Sequence, residues 1–427
     1  MYRKYVIRPL EHALEVDAPG LHQSLGYAAW PSQNFKILQR SLQKRYGYKE
    51  FRDVKEEVQA IIYFTSLAGA NSTIYLTSAN ACKYESSGTF SYITKKYSTG
   101  TVSGIGNGNN DVVTGTGTPD WDSTDGPAAG DFFIMDDDLT SASEIDEHWQ
   151  EIESVDSDTQ ITLVDSYRGA TSSGDYTIRQ VYTVPTNERW SWCIFNDKLV
   201  ITNGNSYPQY WTGSGNFTNC DTTNATKARY CIEYADRLVL ADMYVSGTRK
   251  PQRIMWSKNG DLTDWTDSTA GSSDLEDTED IITGLGKVGA DLIVYKSDSM
   301  VIGNRTGTST APISFPRYQR GIGCPAPYSI VSAAGTNFFI GRDDFYVMVG
   351  TQPYPIGEKI RFKFFDIVNP TELTRAFGYA NTLQNEIRWF VNDEDNIRRC
   401  FVYDYKRKEW GHYIYASDMS CGERGVV

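Results

Sequence analysis

Two apolar stretches joined by a tight polar turn recur along this chain, and an aromatic residue often stands near the end of the second. The pattern reads NDKLVITNGNSYPQYW at 196–211, ADRLVLADMYVSGTRKPQRIMW at 235–256 and GADLIVYKSDSMVIG at 289–303. It returns as GTNFFIGRDDFYVMVG at 335–350 and NEIRWFVNDEDNIRRCFVYDYKRKEW at 385–410, with a weaker copy, ANSTIYLTSANACKY, at 70–84. Apolar runs of about four to six residues bounded by Gly, Asn, Asp, Ser or Pro predict strands. The leading apolar residues Leu199, Leu238, Leu292, Phe338 and Ile387 stand 39, 54, 46 and 49 positions apart. A strand-built repeat of that period predicts an all-β chain folded as a β-propeller, each unit a four-stranded sheet around a central axis. Six blades are expected, starting near 58, 190, 229, 281, 328 and 375. Five or seven stay open, because terminal strands can complete a further blade.

Two segments break the repeat. Residues 1–57 read as an N-terminal docking arm, ordered by contact with something else. Its string NFKILQRSLQKRYGYKEFRD (34–53) spaces Lys36, Arg40, Lys44, Arg45 and Lys49 closely. Phe35, Leu38 and Leu42 follow helical intervals, so 34–60 is where a long amphipathic helix is expected, although Gly47 would stop it early. Residues 58–99 form the first blade. At about 100 the composition turns Gly-, Asn- and Asp-rich, and 100–183 reads as an inserted acidic β domain. Its later part, EIESVDSDTQITLVDSYRGATSSGDYTIRQ (151–180), alternates apolar and polar residues between Gly and Asp turns, which predicts a small β-barrel or sandwich. The remaining blades occupy 184–416, and 417–427 is a C-terminal tail.

Charge sharpens this division. The net charge of −13 averages two unlike parts. Between Asp111 and Asp165 stand sixteen Asp or Glu and no Lys or Arg, and the rest of the chain sums to +3. Aromatics make up 13%, including 28 Tyr and 10 Trp, which suits half-buried pleated surfaces. No run approaches the ~18 apolar residues of a membrane span. The opening MYRKYVIRPLEHALEV lacks the apolar core of a secretion signal, so export by that route is not expected. The seven cysteines are odd in number, scattered and without a CxxC pair, and Cys193, Cys231 and Cys400 sit in apolar runs as small hydrophobes. That usage points to synthesis in a reducing cytosol.

Motifs for chemistry are sparse. GLGKVG at 284–289 matches a dinucleotide-binding GxGxxG, but ADLIVY follows where that motif needs a helix, so the string reads as a hairpin turn in a blade. GIGNGNN at 104–110 lacks the Lys-Ser/Thr ending of a phosphate loop. Asp120, Asp122 and Asp125 before Gly126 approach a calcium loop, yet the third acid is one place late and no distal Glu completes it. Asp136–Asp138 offer oxygens to a cation, though solvated acidic turns are the simpler reading. Four histidines (12, 22, 148, 412) lack metal-ligand spacing, and no Gly-x-Ser-x-Gly elbow is present. No catalytic residue, metal site or cofactor is assigned. WSKNGDLTDW at 256–265 comes near the Asp-box turn of sialidase-type propellers, with Asn259 and Asp261 replacing its Asp and Gly and Trp265 one position late. Even a perfect copy would be structural.

Three strings together resemble the tail hub or nozzle proteins of short-tailed bacteriophages, including those called packaged-DNA stabilisation proteins. GLHQSLGYAAWPSQNFKILQRSLQKRYGY resembles their opening segment, and IMWSKNGDLTDW resembles a hairpin frequent in their propellers. SVDSDTQITLVDSYRGATSSGDYTIRQ resembles a small β domain common in phage tail proteins. The resemblance implies a non-enzymatic virion protein, made in the host cytoplasm and built into the tail. It implies a homo-oligomeric ring, usually a hexamer, below a portal and adaptor and bearing tail fibres or a tailspike. Its channel would retain packaged double-stranded DNA and conduct it on ejection without sequence specificity. The family has no catalytic residues to carry over.

Charge fits that expectation. Each phosphate neutralised by Lys or Arg adds salt-dependent affinity that would retard passage. A near-neutral propeller with a segregated acidic module suits a conduit. Lys36, Arg40, Lys44, Arg45 and Lys49 are then candidates for contact with DNA or an acidic adaptor, against a plain solvated basic face. The alternative is a glycan-binding or glycan-cleaving propeller, a receptor-binding protein or depolymerase. It needs clustered carboxylates, or arginines with a tyrosine, at the propeller axis.

Overall fold

Strands make up nearly all of the regular secondary structure described, and their order explains the repeat. The computed structural model describes residues 57–84, 90–106, 109–139, 148–395, 397–415 and 419–422, together with four short strands nearer the N-terminus, His12–Leu14, Tyr27–Ala28, Phe35–Leu38 and Ser41–Lys44. Six four-stranded sheets follow one another, each an antiparallel meander in chain order. The first holds Val58–Thr65, Asn71–Thr77, Ala81–Tyr84 and Phe90–Tyr92; the second holds Ser191–Phe195, Lys198–Thr202, Gln209–Trp211 and Thr218–Asn219. The third comprises Lys227–Tyr234, Arg237–Val245, Thr248–Trp256 and Gly271–Asp274, and the fourth Ile282–Val288, Asp291–Lys296, Ser299–Arg305 and Ile313–Arg320. Val331–Ala333, Thr336–Ile340, Phe345–Val349 and Gln352–Pro355 make the fifth. Phe377–Asn381, Glu386–Asn392, Arg398–Asp404 and Glu409–Tyr413 make the sixth. The fold is a six-bladed β-propeller with a β domain inserted after its first blade.

The recurring apolar run is the second strand of each blade. In the fourth blade Leu292 and Val294 share a core with the third blade, while Ile293 and Tyr295 share one with the fifth, so Asp291–Lys296 is buried over all but its first residue; Arg237–Val245 is buried over its first seven. A strand covered on both sides reads as continuous hydrophobicity, not alternation. Outer strands such as Thr248–Trp256 have exposed positions and are polar. In the second, third and fifth blades the turn leading into the second strand uses left-handed backbone at both central residues: Asn196 and Asp197 (φ 44° and 61°), Ala235 and Asp236 (55° and 57°), Ala334 and Gly335 (51° and 77°). That geometry matches the right-handed strand twist and keeps the connection to two residues.

Val54–Pro185 with Trp190–Ala228 forms one compact unit, carrying the first two blades and the insertion; Met1–Asp53, Thr186–Arg189 and Arg229–Val427 form another. In the former, Ile62, Phe64, Ile74 and Leu76 share a core with Trp190, Leu199 and Trp211. Trp190 Nε1 donates to the Thr77 carbonyl at 2.7 Å. In the latter, the fifth and sixth blades meet over Phe345, Trp389 and Trp410, with ring centroids 4.6 to 5.8 Å apart.

The insertion is one seven-stranded sheet in the order Thr101–Gly106, Val112–Thr116, Gln160–Leu163, Gln150–Ser157, Phe132–Met135, Tyr176–Arg179, Lys96–Tyr97. Val102, Val113, Ile152 and Ile161 from one half share a core with Phe133, Met135, Tyr176 and Ile178 from the other. Trp121 Nε1 donates to Tyr176 Oη at 2.7 Å, and that hydroxyl donates to the Thr99 carbonyl at 2.6 Å.

The helix expected within 34–60 is not formed at 35–44. Phe35–Leu38 and Ser41–Lys44 pair as an antiparallel hairpin, with Phe35 opposite Lys44 and Leu38 opposite Ser41. Phe35 and Ile37 favour extended backbone, and the register closes over two residues, so pairing outcompetes the weak helical spacing. Among the described residues, an α-helix spans Arg361–Ile367, between the fifth and sixth blades. No described helix is long and apolar enough to cross a membrane.

Candidate functional site

The five basic candidates of the arm divide. Lys36 lies on Phe35–Leu38 opposite Gln43, and Lys44 lies on Ser41–Lys44 opposite Phe35. Arg40, Arg45 and Lys49 lie outside the described residues.

The acidic block is better defined. Asp120, Asp122, Asp125, Asp136, Asp137, Glu151, Glu153, Asp156, Asp158 and Asp165 are exposed on the insertion. Glu151 and Glu153 flank buried Ile152, as strand alternation requires. Asp156 accepts from Ser154 Oγ and Thr162 Oγ1, both at 2.7 Å, and those hydrogen bonds hold its carboxyl below the usual range. Two acids turn inward instead. Asp138 is 8% exposed and accepts from Tyr167 Oη at 2.9 Å, from the Ala170 and Thr171 amides, and from Thr171 Oγ1. Burial pushes its carboxyl up, but the bonds from Thr171, Tyr167 and Ala170 outweigh this and hold it low. The reading of 136–138 as solvated turns therefore fails at Asp138, which is an internal cap for the loop after Tyr167. Asp131 accepts from the Ala128 and Val181 amides at 2.9 and 2.8 Å, and burial pushes its carboxyl up to about 6.

One cation serves this block from outside it. Lys95 Nζ pairs with the Asp125 carboxylate and also donates to the Asp125 carbonyl at 3.0 Å. Asp125 Oδ1 accepts as well from Asn219 Nδ2, on the last strand of the second blade. Gln209 Nε2 donates to Gln180 and Asn219 at 2.8 Å, and Tyr182 Oη donates to Gln209 at 2.5 Å. This hydrogen-bonded seam fixes the insertion against the second blade. Burial lowers the Lys95 pKa despite its Asp125 partner.

A second polar cluster gathers residues far apart in sequence. Glu188 Oε1 pairs with Arg229 at 2.6 Å, and Glu188 Oε2 accepts from Tyr328 Oη at 2.9 Å. Arg249 grips Asp242 bidentately at 2.8 and 2.5 Å, and Arg229 Nε lies 3.6 Å from the same carboxylate. Asp242 sits at φ 53° where the strand register shifts, which turns its fully buried side chain toward both arginines. Desolvation raises the Glu188 pKa and holds Tyr328 well above the usual phenol value, so the hydroxyl stays protonated and donates. These are the residue types the glycan alternative requires. Both oxygens of each carboxylate are engaged by Arg229, Arg249 or Tyr328, so the cluster is an internal ion-pair and hydrogen-bond network. No sequence spacing signals this cluster, because Glu188 and Tyr328 are 140 positions apart.

Sequence reading also missed a cleft of about 700 Å³ lined by Asp277, Glu279, Asp280, Asp298, Ser299 and Arg320. Beneath it, fully buried Lys296 donates to the Leu275 and Thr278 carbonyls at 3.0 and 2.9 Å and pairs with Asp280 at 3.2 Å. The acidic string at 274–280 was its only trace in the sequence. No group of His, Cys, Asp or Glu with metal-binding geometry occurs among the described residues.

No family model matches this chain, and no curated protein matches it. Solved structures with partial likeness include an exported protein from Bacteroides fragilis (TM-score 0.32, 12% identity, 52% of this chain and 70% of that one). Another is PorZ, a surface component of the type-IX secretion system of Porphyromonas gingivalis (TM-score 0.36, 10% identity, 85% of this chain and 39% of PorZ). A third is Hsv2 of Kluyveromyces lactis (TM-score 0.30, 9% identity, 80% of this chain and 93% of that one). At such TM-scores these likenesses carry no argument, and the fold rests on the strand topology above.

Proposed function

We propose that this chain is a non-enzymatic virion component, a tail hub or nozzle subunit of a short-tailed bacteriophage. It assembles as a homo-oligomeric ring, is carried in the phage tail, and retains and then conducts duplex DNA. The observation that carries this reading is the segregation of charge onto a separate sheet. Among the described residues, eleven exposed acids decorate the insertion, Asp175 with the ten named above, whereas half-buried Glu188 pairs with Arg229 and the buried acids Asp242, Glu386 and Asp393 pair with Arg249, Arg388 and Arg399. An acidic wall repels phosphate and lets a duplex pass without being held. The three tail-protein strings and the basic arm support the same reading, the arm serving as the part that docks on an adaptor.

Negative-stain microscopy of the purified protein, alone and mixed with portal and adaptor proteins, tests the assembly. Rings are expected in at least one condition; monomers in both would sink the proposal. Charge is tested separately on nitrocellulose filters. Asp122→Asn, Asp137→Asn, Glu151→Gln and Glu153→Gln combined should raise retention of duplex DNA, and added salt should erase the difference. Unchanged retention would remove the acidic wall from the mechanism.

The glycan-cleaving alternative predicts loss of hydrolysis in Glu188→Gln. We expect no cleavage of bacterial surface polysaccharide by either protein, because Glu188 is held in an internal network by Arg229 and Tyr328.

A further inference from the structure

Arg179 ends the strand Tyr176–Arg179, where it lies opposite Phe132 on one neighbour and Lys96 on the other. It is 7% exposed. Its guanidinium carbon stands 4.0 Å from the ring centre of Tyr92, 5.0 Å from Trp149 and 5.6 Å from Phe132. Three rings thus attract its charge through their π faces. They do nothing for its N–H edges: among the described residues, buried Nε and Nη1 have no acceptor, and neither does the buried indole Nε1 of Trp149. The other buried cations described have acceptors for their N–H groups: Lys296 has Asp280, Lys95 has Asp125, and Arg237 donates to the Thr269 and Ala235 carbonyls.

A buried cation with no anion among the described residues, beside a buried indole donor with no acceptor among them, is strongly unfavourable unless something supplies both charge and lone pairs. We propose that Arg179 and Trp149 form a binding site for a small tetrahedral oxyanion, with inorganic phosphate as its representative. The burial of Arg179 excludes the backbone of a duplex and suits a free ion. Several N–H donors on two side chains call for several oxygens, which a phosphate or sulfate has and a halide lacks. The site joins two elements of one unit: Tyr92 belongs to the first blade, while Phe132, Trp149 and Arg179 belong to the insertion. A bound anion therefore ties the acidic domain to its blade.

Titration of the full chain with inorganic phosphate at constant ionic strength, followed by calorimetry and by the 15N-labelled Trp149 indole signal, tests this. Saturable one-site binding is expected, with a matching shift of that indole resonance. Arg179→Met should weaken binding about tenfold or more, charge-assisted bonds being the stronger class. Trp149→Phe, which keeps the cation, should weaken it by about a few-fold and remove the shifting resonance. Sulfate should compete, and chloride at equal ionic strength should not. If Arg179→Met fails to fold, Trp149→Phe and the wild-type competition still decide. Non-saturable heats, an unmoved indole signal, or equal binding by wild type and a folded Arg179→Met would overturn the proposal.

Discussion

Asp138 shows how a residue can be mislaid by its neighbours in sequence. In a run of three aspartates it reads as solvated, yet the fold brings Tyr167, Ala170 and Thr171 to it from about thirty positions away. Gly169 belongs to the same arrangement, because any Cβ there would collide with the Asp138 carboxylate. Asp138→Ala would strand a buried hydroxyl and two amides, and should cost about 2–4 kcal/mol. A lower urea midpoint with unchanged slope checks it. His412, 1% exposed beside Phe401, titrates as a buried group: burial, then the charge of Arg399, lowers its pKa from 6.5 to about 4. The unfolded chain then binds a proton that the native state refuses. Stability from this group is full above about pH 6.5 and drains as pH falls toward 4, by at most ~3 kcal/mol. His412→Phe should flatten that part of the pH profile of unfolding. Asp131 acts in the opposite sense, its raised folded pKa making stability fall as pH rises from about 4 toward 6.

At the scale of elements, local patterns were read correctly where one strand or turn decides them, and misread where packing decides. GLGKVG is the clearest case: the hairpin turn expected there is strand instead, since residues 284–288 lie within Ile282–Val288 and only Gly289 enters the turn. Its first glycines face the fifth blade, where a Cβ on Gly284 would meet Ile330 and one on Gly286 would meet the Asn337 side chain. The spacing that imitates a nucleotide motif thus serves close blade packing. Gly286→Ala should destabilise by about 1–3 kcal/mol through overpacking, measured by thermal melting. Ala334, exposed at φ 51° in a two-residue turn, carries the reverse strain. Ala334→Gly should stabilise by about 0.5 kcal/mol, the relief of left-handed strain exceeding the added chain entropy. WSKNGDLTDW is a hairpin pin, as expected: Trp265 is buried and donates to the Leu262 carbonyl at 3.0 Å, and Asp261 accepts from Thr263. The arm hairpin at 35–44 is the counter-example, since Phe35, Leu38 and Leu42 fit helical spacing as easily as a paired register.

Over the whole molecule, the insertion behaves as a graft. Its two ends meet, the Gln180 amide donating to the Lys95 carbonyl at 2.9 Å. Replacing 96–179 by a short Gly–Ser linker should leave the first two blades folded, because their shared core of Ile62, Leu76, Trp190 and Trp211 lies outside the insertion. Cooperative melting of the deletion variant would verify that. The same deletion should raise DNA retention as the neutralised acids do, since both remove the acidic wall.

The sequence by itself determined the repeat and where the acidic block interrupts it, because strand periodicity and turn chemistry are local and recur in register; six blades over five or seven was decided by the sheet topology. Charge segregation was equally plain, being a count along the chain. Only the tertiary structure decided which charges are spent internally. Glu188, Arg229, Asp242 and Tyr328 come together through blade packing, and Arg179 becomes isolated among rings contributed by separate strands. Burial and pairing depend on contacts between distant segments, and no spacing rule along one strand encodes them.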